Sequence, residues 1–250
     1  MSSTSTVASV ITSLQNHLQH LSAWEFRCLD DEDVPWLPRL EVLPLHITVR
    51  EIVRVLEASA TVSLCLRRVA WLYCWLMPRN RAGPWMLYRF DPSELRVGSI
   101  TIVRALSRTL PAMGRPTTFN ASYVHGTLFV CMIMRSGSCP TSRRYAVVLL
   151  VLRHDQRCAV GHAETPEDHR ALATALHVAL YGSSVEVPQR MFADIDSAFS
   201  AVHTGNDGPI MLRVDSDPSI AAPFVSSSYP QEQEHMQDLS FNVRERGEAP

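Results

Sequence analysis

The sequence predicts an α+β fold, with helices over roughly the first 80 residues and a mainly antiparallel sheet with flanking helices after them. Three observations predict it. Apolar residues recur at spacings of three and four between Val7 and Leu76, broken only by a proline-marked loop. Between Thr117 and Arg153, three runs rich in β-branched, aromatic and apolar residues are separated by turn-forming stretches. With 250 residues, 46% of them hydrophobic, the chain can bury a sizeable core in one large or two small domains.

The elements follow in order. Val7, Val10, Ile11, Leu14, Leu18 and Leu21 form one apolar stripe of an amphipathic helix. A short second helix holds Trp24 and Phe26 and ends at the acidic run Asp30–Asp33. Pro35, Pro38 and Pro44 mark a loop, after which Thr48 and Glu51 have capping-box spacing ahead of Ile52, Val53 and Leu56. Val62, Leu66, Val69, Tyr73 and Leu76 make a fourth stripe that stops at Pro78, followed by an arginine-bearing loop to Pro84. Asp91-Pro92-Ser93-Glu94 reads as a helix start, the helix running through Ile100, Val103 and Leu106 to about Leu110.

The period then changes. Thr117–Val124, Thr127–Met134 and Tyr145–Arg153 form an antiparallel meander, with His125-Gly126 and the Ser136–Arg144 loop between its strands. Cys158–Ala163 adds a strand. Thr165-Pro166-Glu167-Asp168 caps a helix that runs to Tyr181, with Gly182 placed to stop it. Val185–Val187 reads as a short strand, Pro188–Val202 as a last helix and Ile210–Val214 as one more strand. Beyond Asp217, proline, serine, glutamine and glutamate dominate, the composition of a disordered acidic tail. The predicted division is a helical domain over 1–80, an α+β sheet domain over 81–217 and a tail over 218–250.

Composition excludes several functions. The longest apolar stretch, Val69–Met77, lies between Arg67–Arg68 and Arg79, well short of the ~18 residues of a spanning helix. The first ten residues lack a secretory signal pattern, so a nuclear or cytosolic location without membrane contact is expected. Six scattered cysteines without a CxxC pair read as free thiols. All 23 basic residues are arginine, so no Schiff-base or P-loop lysine is available. GxSxG, GxGxxG and HExxH are absent from the sequence. His17 and His20 share a helix face but are only two ligands, and His169 and His177 read as solvent-facing. No enzyme activity, metal or cofactor is expected.

Charge is segregated. Residues 1–66 carry four Arg against eight acids (−4), residues 67–157 fourteen Arg against three acids (+11), and residues 158–250 five Arg against fourteen acids (−9), summing to −2. Such a basic middle points to a polyanionic partner. Its arginines come in pairs: Arg67 and Arg68 in the fourth helix, Arg79 and Arg81 after it, and Arg143 and Arg144 where a loop enters a strand. Arg104 and Arg108 share a helix face, and Arg153 and Arg157 follow a strand end. Guanidinium groups suit bidentate phosphate contacts, so these ten are the candidate nucleic-acid-binding residues, converging on one groove if helices and sheet pack together. Trp85 and Tyr88 either fill the core or cover arginine stems and stack on bases. The alternative is a protein-only scaffold whose arginine face meets an acidic protein partner.

The order of elements resembles the N-terminal portion of the centromere protein N family, over about residues 7–203. The matching stretches are "AWEF", "WLYCWL", "TLFVCMIM", "RRYAVVLLVL", "ETPEDHRALATALHVAL" and "VEVPQRMFADIDSAFSAV". The resemblance implies a pyrin-like helical domain, a sheet domain and a kinetochore adaptor at the centromere, in the nucleus. It implies binding to nucleosomal DNA phosphates in a basic groove, contact with a centromeric histone H3 variant and pairing with a centromere protein L-like partner. Unlike the family, Val7–Leu21 carries neither lysine nor arginine.

Overall fold

The computed structural model describes residues 4–32, 34–40, 43–79, 82–90, 98–135, 145–153, 158–180, 185–186 and 190–204. These residues form an α+β fold in which helices cover both faces of an antiparallel sheet. Asp91–Glu94, the Ser136–Arg144 loop, Gly182, Ile210–Val214 and the 218–250 tail lie outside them.

Helix α1 (Thr4–Leu18) buries the predicted stripe: Leu14 and Leu18 are fully enclosed, with Val7, Val10 and Ile11 beside them. Helix α2 (Ala23–Asp30) opens with a reciprocal cap. The Ser22 N–H donates to Glu25 Oε2 at 2.7 Å, and the Glu25 N–H donates to Ser22 Oγ at 3.2 Å. Helix α3 (Leu45–Glu57) corrects the predicted start at Thr48. Pro44 is the N-cap, and Thr48 lies one turn inside, its hydroxyl donating to the carbonyls of Pro44 (3.3 Å) and Leu43 (3.4 Å). Glu51 is held by Arg54 at 2.8 Å instead of closing a capping box. Helix α4 (Val62–Leu76) is capped by Thr61, whose Oγ1 accepts the Leu64 N–H at 3.1 Å, and runs into a 3-10 turn at Met77–Arg79.

Trp85–Phe90 is strand β1, although nothing in its residue pattern predicts a strand. Its residues are apolar on both faces: Trp85 and Leu87 enter one core, Tyr88 and Phe90 the other. A doubly buried strand shows no alternation of apolar and polar residues.

Helix α5 (Ser99–Ala112) leads to the far edge of the sheet. The meander then returns as β2 (Thr117–Val124), β3 (Thr127–Arg135), β4 (Tyr145–Arg153) and β5 (Cys158–Ala163), every pair antiparallel. His125 (φ 47°) and Gly126 (φ 75°) form the two-residue turn closed by Val124 opposite Thr127, and positive φ at both positions matches the strand twist. Helix α6 (Pro166–Ala179) is capped by Thr165 as predicted. The predicted helix over 188–202 is shorter. Met191–Phe192 is a strand on β1, and the helix runs Ile195–Thr204, entered through Asp194, whose carboxylate accepts the Ser197 N–H at 2.6 Å.

With β6 (Val185–Glu186), β7 (Met191–Phe192) and α7 (Ile195–Thr204), the sheet order is β2-β3-β4-β5-β1-β6, and β7 also pairs with β1. Side chains alternate between the two faces and create two cores. One lies between the sheet and α1, α3, α4 and α7, the other between the sheet and α5 and α6. The boundary predicted at residue 80 therefore falls inside a shared core: Cys74, Trp75 and Leu76 of α4 pack in one cluster with Phe129 and Cys131 of β3.

Candidate nucleic-acid interface

Helix α4 places Arg67 and Arg68 on its less buried side because Leu66, Val69 and Ala70 take the core positions around them. Arg68 is a strut as well as a charge. Its Nη1 donates to Ser59 Oγ at 3.0 Å and to the Val55 carbonyl at 3.4 Å, and its guanidinium lies 5.2 Å from the centre of the Trp36 ring. Trp36 in turn meets Trp71 edge-on at 5.8 Å. Arg79 folds back on α4, donating from Nη1 to the Trp75 carbonyl at 2.7 Å, with its guanidinium 3.6 Å from the Trp75 ring centre. Stacking on indole orients a guanidinium plane while leaving its charge intact.

Arg104 and Arg108 are exposed on α5, one turn apart, as their spacing predicts. They do not join the α4 set. Helix α5 lies on the opposite face of the sheet, and two packing layers of ~10 Å put about 20 Å between the groups. The expected convergence on one groove is thereby corrected: the sheet stands between the two arginine groups. Arg153 belongs to the α4 side of the sheet but is turned inward to α7. Its Nη2 pairs with Asp196 Oδ1 at 2.5 Å, and its guanidinium lies 4.3 Å from the Phe199 ring centre. Arg81, Arg143, Arg144 and Arg157 lie outside the described residues.

Trp85 and Tyr88 are fully buried in the two cores, so neither offers a face to a base. Nor is His169 solvent-facing as predicted. Its Nδ1 lies 2.6 Å from the Tyr88 hydroxyl, and burial, followed by the nearby His162, holds its pKa below the ordinary 6.5. His162 donates from Nδ1 to the Pro84 carbonyl at 2.7 Å, and burial lowers its pKa too. His17 meets Tyr73 edge-on, and His20 Nδ1 lies 2.6 Å from the Asn16 carbonyl. Among the described residues no group of three His, Cys, Asp or Glu side chains could hold a metal ion. The five described cysteines are free thiols; burial pushes Cys158 up to about 11, Cys74 higher still and Cys131 well above the ordinary thiol range. No described helix is long and apolar enough to cross a membrane.

One arginine outside the ten candidates is buried. Arg115, at the entry to β2, pairs through Nη1 with Asp168 Oδ1 and through Nη2 with Glu167 Oε1, both at 2.8 Å. Asp168 is wholly enclosed and also accepts the Thr165 hydroxyl at 2.7 Å. The only hint in the sequence was that Asp168 follows a helix-capping threonine; its partner lies 53 residues away.

Neither the protein-family models nor the curated proteins include a match to this chain.

Proposed function

We propose that the chain is a non-enzymatic kinetochore adaptor that binds nucleosomal DNA through arginine–phosphate contacts at the centromere. The observation that carries this reading is the charge of residues 67–157, fourteen arginines against three acids, within which α4 and α5 contain no acidic residue. The phosphate-facing set is Arg67, Arg68 and Arg79, with Arg81, Arg143 and Arg144. The indole stacks of Arg68 and Arg79 support it, because an oriented guanidinium loses less entropy on meeting a phosphate. Both hydrogen bonds of Arg68 to described residues run through Nη1. The resemblance to centromere protein N adds a centromeric histone H3 variant and a centromere protein L-like chain as partners.

The test is duplex and nucleosome binding across salt. Six to ten phosphate contacts weaken affinity ~10³–10⁵-fold between about 50 and about 200 mM salt. The Arg143→Gln/Arg144→Gln variant is expected to shallow the log–log salt slope by about two units. Arg104→Gln/Arg108→Gln, on the other layer, is expected to leave it unchanged. Absence of binding at about 50 mM salt would leave a protein-only scaffold as the better account.

A further inference from the structure

Strand β2 is an edge of the sheet, and its outer side has no hydrogen-bond partner among the described residues. Which groups point outward follows from the ladder. The Arg135 N–H donates to the Pro116 carbonyl at 3.1 Å, so in the β2–β3 register Thr118, Asn120, Ser122 and Val124 direct their main-chain groups at β3. Thr117, Phe119, Ala121 and Tyr123 therefore aim theirs away from the sheet. The strand "TTFNASYV" carries no charge and no proline, two of the devices by which monomeric proteins guard such an edge. The opposite edge is different: among the described residues it is made of the two-residue strands β6 and β7.

We propose that β2 pairs with β2 of a second copy of this chain, antiparallel about a two-fold axis at Asn120. In this register Phe119 faces the partner's Ala121 and Thr117 the partner's Tyr123, and every outward N–H and C=O of these four residues is used. The side chains also fit. On the α5–α6 face, where Phe119, Ala121 and Tyr123 point, each large residue meets a small one. On the α4 face Thr118 meets the partner's Ser122, a hydroxyl pair, and Asn120 meets its own counterpart about 4.5 Å away between Cα atoms.

The strand is about 27 Å long at ~3.4 Å per residue. Pairing in this register covers the edge along its whole length. A two-fold pairing uses the same edge of both copies, so it closes at two copies instead of growing into a filament.

The test is the mass of the full chain by sedimentation from about 1 to about 100 µM, with amide hydrogen exchange of β2 over the same range. Wild type is expected to rise from 28.0 kDa toward twice that mass, with the Thr117, Phe119, Ala121 and Tyr123 amides becoming protected as it does. Two variants keep the fold and remove the pairing. Asn120→Asp sets two carboxylates across the axis, and Ala121→Pro deletes an outward N–H, a change edge strands tolerate. Both are expected to stay at the monomer mass with an unchanged circular dichroism spectrum. A wild type that is monomeric throughout overturns the proposal. So does a dimer that both variants leave intact, which places the contact elsewhere. Protection of those amides in the monomer overturns it as well, since the edge is then covered from within the chain.

Discussion

The hydroxyl of Tyr88, on strand β1, and Nδ1 of His169, on α6, lie 2.6 Å apart with their rings stacked. The phenol can donate to a bare ring nitrogen or accept from a protonated one, so the contact itself serves both charge states of the ring. Burial of His169 and His162 is what selects the neutral form.

This predicts acid sensitivity. The folded pKa of both rings is depressed below 6.5, so the unfolded chain binds protons first as pH falls. Stability is at full value above pH 6.5 and declines as pH drops through it, until the folded-state pKa is reached. Urea midpoints measured between about pH 7.5 and 5.5 should fall for wild type, and the fall should flatten in a His162→Asn/His169→Asn variant. Equal slopes in the two proteins would remove the histidines from the account.

The Arg115–Asp168 pair ties the entry of β2 to the start of α6. Asp168→Ala leaves a guanidinium that is almost fully enclosed with only Glu167 as partner, and is expected to cost about 3 kcal/mol. Replacing both residues, Arg115→Met with Asp168→Leu, is expected to cost less than the single change, because no charge is left buried. Chemical denaturation of the three variants gives the comparison.

Gly161 on β5 has no room for a side chain. A Cβ there would lie 2.7 Å from Tyr88 Cε2 and 3.2 Å from Leu172 Cδ2, so the glycine is the floor on which the tyrosine ring rests. Gly161→Ala should destabilise by about 1–3 kcal/mol through overpacking. In a double-mutant cycle with Tyr88→Leu, the two costs should fall well short of additive.

Much of the fold was legible because its signals are local. The stripes of α1 and α4, the Thr165 cap of α6 and the three meander strands depend on residues a few positions apart, and each formed where its period placed it. The misreadings share one cause. Thr48 and Glu51 have capping-box spacing, yet the same spacing occurs inside a helix that Pro44 begins one turn earlier. Trp85–Phe90 follows a helix and has no alternation, since only its position between two cores makes it a strand.

The arginines divide along the same line. Sequence alone determined that the middle of the chain is basic, that its cations are all guanidinium groups and that Arg104 and Arg108 share a helix face. Tertiary structure decided the rest. It turned Arg153 onto Asp196 and Phe199, buried Arg115 between two carboxylates and stacked Arg68 and Arg79 on indoles. It also set α4 and α5 on opposite faces of the sheet. A charge is a property of one residue, but its partner is chosen by which distant segments the two cores bring together.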